Sequence, residues 1–387
     1  MMVIRRRVCF VATVEIAIKA FLVSHFKAME SQYDITVVTN TKDVNFLEQF
    51  ELGVKVIPLR IEREVSPIRD LAAVFRLFLL FRKYRFDAVH SIMPKSGLLS
   101  MVAAFFARTP VRIHAFTGQV WATRKGGTRL LLKTMDRLLS TCATHILVDS
   151  PSQKSFLVEQ GVVSENKATV IGQGSICGVD IHKFAPDIAA RDRIRQEFSL
   201  NESDVLFLFL GRLNRDKGVL DLATAFSMAC RLGKEIHLLI VGPDEGHMKE
   251  AIIDECKQFS SRLHFKDYTD SPQHYMAAAD VLCLPSYREG FGLVVVEAAS
   301  IGLPSIGSRI YGITDAILDG VTGFLHSPGN TEELAARMTT LINDRELRTK
   351  MGERARKRAH EQFSQRFVIS EWMKYYRSVL DGRPRSQ

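Results

Sequence analysis

The sequence of 387 residues lacks the patterns that identify several large classes of protein. Its six cysteines include no C-x-x-C pair and no metal-ligand spacing, so we predict reduced, buried thiols in a cytosolic protein. No uncharged apolar run reaches the roughly 18 residues that span a bilayer, which argues against an integral membrane protein. Glu15 and Lys19 interrupt the apolar stretch near the amino terminus, so a buried strand is predicted there rather than a secretion signal.

Acidic residues are in deficit. The chain has 52 Lys and Arg against 43 Asp and Glu, a net charge of +9, which favours anionic partners. A hydrophobic fraction of 46% with 25% charged residues is typical of a soluble globular protein. The length predicts about two domains. No D-x-D motif, internal repeat or low-complexity segment occurs.

Short runs of Val, Ile, Leu and Phe recur along the chain, each followed by a turn and a segment with helical spacing. This alternation predicts parallel strands with crossover helices. It breaks in the Gly-rich segment 172–187 and then restarts. We therefore predict an α/β protein of two Rossmann-like, doubly wound domains, at residues 1–180 and 181–365, with a helix at 366–387 that packs back on the first domain.

One candidate anion site follows a predicted strand in the second half. Gly211 and Arg212 end the strand, Lys217 lies in the turn, and a helix is predicted from about Val219. Two cations beside a helix amino terminus attract an anion, because unpaired N–H groups and the helix dipole add to the side-chain charge. A solvated charged loop is the alternative on this spacing alone.

A second motif reads E-G-F-G-L-V-V-V-E, from Glu289 to Glu297. Gly290 and Gly292 allow close approach of the backbone to a ligand, and a helix is predicted to begin near Leu293. Two acids eight residues apart on one helix would lie about 80° apart around its axis, poorly placed to meet one ligand atom. With Glu289 in the loop and Glu297 one turn into the helix, they can instead bind two separate hydroxyl-bearing groups, while the amides between them hold phosphate. The alternative is an ordinary first-turn acid and a solvated turn residue.

Together the two motifs resemble the paired signature of the family 4 retaining glycosyltransferases of GT-B fold, and VGPDEG and YTDSP between them match as well. The resemblance implies two domains facing a central cleft, with the nucleotide-sugar donor on the second. It implies that cations and backbone amides hold the leaving diphosphate, that Glu289 binds sugar hydroxyls and Glu297 the ribose, and that backbone around Lys266 and Tyr268 meets the base. The donor residues so implied are Gly211, Arg212, Lys217, Lys266, Tyr268, Glu289, Gly290, Phe291, Gly292, Leu293, Val294 and Glu297.

The charge of a diphosphate leaving group can be offset by a metal on paired carboxylates or by cations and dipoles. Arg212 and Lys217 supply the second means, so we expect metal-independent catalysis without a cofactor. Front-face substitution with retention, in which the departing phosphate oxygen helps to deprotonate the acceptor, fits the family resemblance.

The first half offers weaker signals. The resemblance implies a catalytic position near the donor sugar for His114, although a lone histidine is more often structural. Lys95, Arg124 and Lys125 are candidates for the phosphates of an acceptor, with solvated loop charges as the alternative. The Gly-Gly loop usual near the amino terminus of the family is missing, and the segments PKSG and FTGQVW resemble transferases of bacterial surface polysaccharides.

Residues 68–87 combine five cations with many Phe and Leu side chains. This composition is typical of a crossover helix that buries one face, and also of a basic amphipathic helix on an anionic membrane. Contact of this helix with a membrane would be consistent with a lipid-linked acceptor.

The predicted function is transfer of a sugar, an N-acetylhexosamine or galactose, from a UDP-sugar to a polyprenyl-diphosphate-linked saccharide in O-antigen or capsule assembly. The predicted location is cytoplasmic, peripheral on the inner face of the plasma membrane. Two alternatives stay open: a nucleotide-sugar 2-epimerase of the same fold, and a non-enzymatic two-domain binding protein. A nucleic-acid partner is not expected, since no basic stripe interleaved with aromatic residues occurs.

Overall fold

The computed structural model describes residues 5–62, 66–231 and 235–380. The chain divides into two compact units. Unit 1 comprises the residues up to Cys177 together with those from Gln365 onward, and unit 2 comprises Gly178–Ser364. The sequence-based limits are 180 and 365, and residues 381–387 of the predicted last helix lie outside the described residues.

The described part of unit 1 contains a seven-stranded parallel sheet in the order β3-β2-β1-β4-β5-β6-β7. Its inner strands are largely buried, as expected for a parallel sheet with helices on both faces, whereas the edge strand β3 is partly exposed. They are β1 (Arg6–Val14), β2 (Tyr33–Asn40), β3 (Lys55–Pro58), β4 (Ala88–Ile92), β5 (Val111–Phe116), β6 (His145–Val148) and β7 (Ala168–Val170).

The helices of unit 1 pack on both faces of this sheet. In β1, Cys9 and Val11 join the apolar cluster beneath the crossover helices, whereas Phe10 faces the aromatic residues of the last helix, including Tyr376. The helices are α1 (Glu15–Phe21), α2 (Val23–Met29), α3 (Pro67–Tyr84), α4 (Pro94–Phe106), α5 (Gly126–Cys142), α6 (Pro151–Glu159) and, from the carboxyl end of the chain, α15 (Gln365–Leu380).

Unit 2 repeats the architecture with a six-stranded parallel sheet in its described residues, in the order β10-β9-β8-β11-β12-β13. The strands are β8 (Val205–Leu210), β9 (Ile236–Val241), β10 (Leu263–Lys266), β11 (Val281–Leu284), β12 (Ser305–Ser308) and β13 (Gly323–His326). The helices are α7 (Ile188–Glu197), α8 (Val219–Cys230), α9 (Lys249–Glu255), α10 (Pro272–Ala278), α11 (Leu293–Ile301), α12 (Ile313–Ala316), α13 (Thr331–Asn343) and α14 (Arg345–Gln362).

Strand β8 shows that the second sheet lies between two layers of helices. Phe207 and Phe209 belong to the cluster formed with α8, α9 and α13, while Leu206 and Leu208 belong to the cluster formed with α7, α10 and α11. Alternate side chains of one strand therefore fill two separate cores. The predicted α/β class and the two Rossmann-like folds are confirmed.

All six cysteines are buried and free. No helix in the described ranges is long and apolar enough to cross a membrane. The predicted strands near the amino terminus and in the two alternating segments are all present, but β3 and β13 were not foreseen. Both are four-residue strands at sheet edges, where the short run of apolar residues gives a weak pattern.

Candidate active site

The candidate site of unit 2 lies where two neighbouring strands end. The connection after β8 leads to β9 on one side, whereas the connection after β11 leads to β12 on the other, so the loops after β8 and β11 flank a topological switch point. The loop after β8 carries the predicted cations, and the loop after β11 carries the glycine motif. Strand order therefore brings together two motifs that are far apart in the sequence.

The loop after β8 ends in a short 3-10 turn, Arg215–Lys217, followed by Gly218 at the start of α8. Gly218 has a φ of +65°, and a Cβ there would lie 2.0 Å from the carbonyl oxygen of Pro285. Glycine is thus required both by the left-handed backbone and by the contact with the β11 loop. This close contact fixes Lys217 beside the second motif.

The loop after β11 leads into α11 through Gly292, which has a φ of +82° and provides no capping side chain. Helix α11 begins at Leu293, as predicted. The Val295 N–H donates to the Gly292 carbonyl at 2.8 Å, whereas the N–H groups of Leu293 and Val294 receive no side-chain cap. Such an uncapped amino terminus is suited to an anion.

Lys217 and Glu289 form an ion pair across the two loops. The Lys217 ammonium donates to Glu289 Oε1 at 2.5 Å, and the Ser286 hydroxyl donates to the same oxygen at 2.8 Å. Both charged side chains are largely buried, at 20% and 13% exposure. The predicted cation and the predicted sugar-binding acid are therefore neighbours.

A second set of contacts ties the same loops together. The Arg288 guanidinium donates to the Asp216 carboxylate at 3.0 Å, and the Tyr287 backbone N–H donates to the Asp216 carbonyl at 2.8 Å. The Tyr287 hydroxyl donates to Asp221 at 2.6 Å. Charge-assisted bonds of this kind position the loops firmly.

Glu297 differs from every other acid of the site. It lies one turn inside α11, is partly buried, and makes no hydrogen bond or ion pair with any residue that the structure describes. Burial raises the pKa of the Glu297 carboxyl to about 7, while Lys183 acts in the opposite direction. A carboxylate whose oxygens are unused within the protein is available to accept hydrogen bonds from a ligand.

Arg212 lies at the outer side of the site. Its guanidinium pairs with Glu245 at 2.9 Å, and both side chains are about half exposed. Such an exposed pair contributes little to stability and is easily exchanged for another partner. The backbones of Gly211 and Gly242 meet closely, since a Cβ at Gly242 would lie 2.1 Å from the Gly211 carbonyl oxygen.

The residues predicted to meet the base lie at the end of β10. The Lys266 carbonyl accepts from the Gly242 N–H at 2.9 Å, and its ammonium pairs with Glu197 at 3.3 Å. Tyr268 is 65% exposed, and its hydroxyl donates to Asp270. No hydrogen bond or ion pair joins either side chain to the described residues of the β8 and β11 loops, so a base-binding role for this segment stays a prediction.

Two family models match the chain. "Glycosyl transferases group 1" matches residues 190–358, and "Glycosyl transferase 4-like domain" matches residues 22–174. The capsular polysaccharide biosynthesis glycosyltransferase CapM of Staphylococcus aureus is 30% identical over 354 residues, which are 90% of each chain. The chain belongs to the group 1 glycosyl transferases. The predicted family is thereby confirmed.

Other relatives and solved structures agree with this assignment. An Escherichia coli UDP-Gal:alpha-D-GlcNAc-diphosphoundecaprenol alpha-1,3-galactosyltransferase is 27% identical over 74% of each chain. The Anabaena HepE structure with UDP and glucose has a TM-score of 0.80 and 19% identity, and covers 97% of this chain and all of its own. The structural likeness shows the GT-B fold of this glycosyltransferase.

In unit 1 of the glycosyltransferase, the predicted acceptor residues lie on separate elements. Lys95 starts α4 and pairs with Asp70 at 2.8 Å, so part of its charge is already neutralised. Arg124 and Lys125 are exposed just before α5 and form no ion pair with the residues in the described ranges. They are the better placed of the three for an external anion.

The prediction that His114 faces a ligand is contradicted by the structure. His114 lies within β5, is fully buried, and its Nδ1 lies 2.9 Å from the Ser91 hydroxyl. A Cβ at Gly97 would lie 2.4 Å from the imidazole, so the ring packs tightly against α4. Burial lowers the pKa of His114 to about 3, which keeps the ring neutral. It is therefore a structural residue of the first sheet.

Sequence reasoning missed Asp216, Ser286 and Arg288 as residues that position the site. They lie in the same turns as Lys217 and Glu289, and that adjacency was the available signal. Their partners are on the opposite loop, which no local pattern reveals. In the described residues no group of three His, Cys, Asp or Glu side chains is placed to hold a metal ion.

Proposed function

We propose that this glycosyltransferase moves a hexosyl group, galactose or an N-acetylhexosamine, with retention from a UDP-sugar to a polyprenyl-diphosphate-linked saccharide in capsule or O-antigen assembly. The observation that carries the proposal is the ion pair of Lys217 and Glu289 beside the uncapped start of α11 and the unpartnered Glu297. The names of two relatives, from E. coli and Campylobacter jejuni, specify diphospho-undecaprenol acceptors, which supports the acceptor class.

The leaving diphosphate is assigned to Lys217, Arg212 and the first amides of α11. Both cations are already paired with carboxylates, Lys217 with Glu289 and Arg212 with Glu245. A diphosphate carries more negative charge than either carboxylate, so it competes for both cations. When Lys217 turns to the phosphate, Glu289 loses its ion-pair partner and its carboxylate becomes a stronger acceptor for a sugar hydroxyl.

Glu289 and Glu297 then bind different parts of the donor. Ser286 holds Oε1 of Glu289, which orients the second carboxylate oxygen without using it. Glu297, lying deeper in α11, is assigned to the two hydroxyls of the ribose. The two acids are assigned to different groups because the start of α11, which binds the phosphates in this proposal, lies between them.

In the reaction, the bond between the anomeric carbon and the phosphate oxygen breaks while a bond to the acceptor oxygen forms on the same face of the sugar. The acceptor proton passes to the departing phosphate oxygen, so no protein base is required. Charge grows on the diphosphate in the transition state, and Lys217 and the α11 amides stabilise it there. We expect the reaction to need no metal ion, because the fixed cations and the helix dipole stabilise the charge on the diphosphate.

The test measures release of UDP from UDP-galactose, UDP-N-acetylglucosamine and UDP-N-acetylgalactosamine, with and without a polyprenyl-diphosphate-linked saccharide. We expect one donor to react, acceptor to stimulate the reaction, and EDTA to leave the rate unchanged. Glu289→Gln should lower the rate by about 100-fold, since it loses a charge-assisted contact to the sugar.

The matched control is Glu250→Gln, an exposed acid of α9 in the same unit, which should react at the unchanged rate. If none of the UDP-sugars binds, or if Glu289→Gln retains full activity, the proposal is wrong. Conversion of donor to its 2-epimer in the absence of acceptor would instead support the epimerase.

A further inference from the structure

The outer face of α3 is unusually apolar for a surface helix. Ala73, Leu77 and Phe81 are buried against the sheet of unit 1. The opposite side exposes apolar residues at fractions of 49% to 86%, namely Ile68, Leu71, Phe75 and Leu79. At about 100° per residue, these four side chains fall within an arc of roughly 80° on the side away from the sheet. The amphipathic pattern therefore explains the inner face but leaves the outer one uncovered.

Helix α4 extends this apolar surface. An open groove of about 410 Å³ runs between the two helices, lined by Leu71, Val74, Phe75, Phe78, Ala103 and Phe106. Phe106 is 65% exposed and Phe105 is 47% exposed. A contiguous apolar surface of this kind is uncommon on a soluble monomer and marks an interaction site. We call the outer residues of α3 and this groove the α3–α4 face.

Cations surround the α3–α4 face. Arg76, Arg82 and Lys83 are exposed on α3, and Arg108 follows the end of α4. Within the part of the chain that the structure describes, Arg76, Arg82 and Arg108 form no ion pair. A polar cavity of about 300 Å³ at the ends of the two helices is lined in part by Arg82 and Arg108.

Helix α4 carries no acid, and α3 carries a single one. Asp70 is the one carboxylate of α3, and it points toward α4, where it pairs with Lys95 and accepts from the Ser66 backbone N–H. The apolar centre with an uncompensated cationic border therefore matches a partner that is apolar inside and anionic at its surface.

We propose that the α3–α4 face docks this protein on an anionic lipid bilayer. Phe75, Leu71 and Phe106 enter the boundary between headgroups and acyl chains, while Arg82 and Arg108 contact lipid phosphates. A second copy of the chain fits less well, because a symmetric pair would place these cations against their own counterparts. The inference goes beyond the proposed transfer reaction and does not depend on it.

The test is sedimentation of the full chain with vesicles, in the absence of either substrate. Vesicles of phosphatidylcholine alone are compared with vesicles of phosphatidylcholine and phosphatidylglycerol, at low and at high salt. We expect binding to the anionic vesicles to be tenfold or more stronger, and salt to weaken it, as required by several cations near the surface.

Two variants separate the apolar and the cationic contributions. Phe75→Ser with Phe106→Ser should lower binding at every salt concentration by about tenfold, since apolar area is lost. Arg82→Gln with Arg108→Gln should lower binding at low salt by about tenfold and flatten the salt dependence.

The controls carry equivalent changes on unit 2. Ile188→Ser alters an isoleucine that is 78% exposed on α7, and Arg354→Gln with Lys357→Gln removes two exposed cations from α14. Both should bind vesicles as the unchanged protein does. Circular dichroism melts of all variants confirm that each is folded.

Equal binding of both vesicle types, or unchanged binding of the Phe75 and Phe106 variant, would overturn the proposal. So would a concentration-dependent dimer that this variant abolishes, because the face would then join two copies. Release of UDP from the donor is measured on the same variants without lipid. If no variant and not even the unchanged protein released UDP, the result would contradict the proposed function but not the docking surface.

Discussion

At the scale of single residues, the site holds its charges in pairs that a ligand can exchange. Lys217 is bound to Glu289, and Arg212 to Glu245. Glu297 alone among the acids assigned to the donor is partly buried without a partner. The two cations are neutralised in the absence of a ligand and attract an anion when they change partners.

Lys217→Ala should lower kcat by about 100-fold and weaken UDP binding much less, because charge on the leaving phosphate grows toward the transition state. The measurement compares single-turnover rates with UDP affinity by calorimetry. Lys257→Ala, an exposed lysine of the same unit, serves as control. Equal losses in binding and in rate would contradict a role in the transition state.

Glu297→Gln should raise the free energy of unfolding and weaken the binding of UDP. The carboxyl pKa is raised from 4.5 to about 7 by burial, so the folded chain holds its proton where the unfolded chain has released it. Stability therefore falls as pH rises between these values, and the full cost is present above pH 7. The variant should gain about 1–2 kcal/mol at pH 8 and less at pH 5.5.

Denaturant unfolding at the two pH values checks this, with calorimetry of UDP binding at pH 8. UDP should bind about tenfold more weakly, since an amide accepts weaker hydrogen bonds from the ribose than a carboxylate does. Glu353→Gln, on the exposed side of α14, is the control. A gain in stability that does not vary with pH would show that burial of the charge is not its cause.

At the scale of elements, the site depends on how closely the β8 and β11 loops meet. Gly218 touches the Pro285 carbonyl, and Arg288 and Tyr287 bind Asp216 across the same gap. The loops behave as one structure because backbone contacts, and not only long side chains, join them. A change that separates them should therefore affect stability and donor binding together.

Gly218→Ala provides that change. Its Cβ would meet the Pro285 carbonyl oxygen at 2.0 Å, in addition to the strain of a φ of +65°. We expect a loss of at least about 2 kcal/mol in unfolding free energy and weaker UDP binding. The control is Gly320→Ala, which has a φ of +73° but no atom within 4 Å of the added Cβ, and should lose about 1 kcal/mol. If the two variants lost similar amounts of unfolding free energy, the contact between the loops would not contribute to stability.

The elements themselves were largely predictable. Runs such as Val205–Leu210 and Ile236–Val241 are apolar along their whole length because central parallel strands are buried on both faces. The start of α11 was predictable from Gly292, whose positive φ marks the boundary. The edge strands β3 and β13 were not, since four residues carry too little pattern to separate a strand from a loop.

At the scale of the whole molecule, the chain returns to unit 1 through α15. The rings of Trp372 and Tyr376 both stack on the His90 ring, with centroid distances of 5.0 Å and 5.9 Å. The Tyr376 hydroxyl lies 2.6 Å from His90 Nδ1. Phe10 of β1 completes this aromatic cluster. The last helix, described as Gln365–Leu380, thus contributes to the core of the first unit.

Trp372→Ala should destabilise unit 1 by about 3–5 kcal/mol, because a large buried ring is removed from a packed cluster. Trp121, the other tryptophan of the chain and also in unit 1, then reports unfolding of that unit by its fluorescence. Trp372→Phe, which keeps a ring, should lose much less. UDP binding by unit 2 should persist, and its loss in parallel with the fluorescence change would contradict separate contributions of the two units.

The sequence by itself determined the fold class, the order of the elements and the family, because these follow from local periodicity and from motifs that occupy a few successive residues. The tertiary structure decided which side chains meet. Lys217 and Glu289 are 72 residues apart and become partners because β8 and β11 are neighbours in the sheet. In the same way the surrounding sheet buried His114, and the packing of α3 turned its apolar residues outward. Such contacts depend on strand order and helix rotation, which local patterns do not encode.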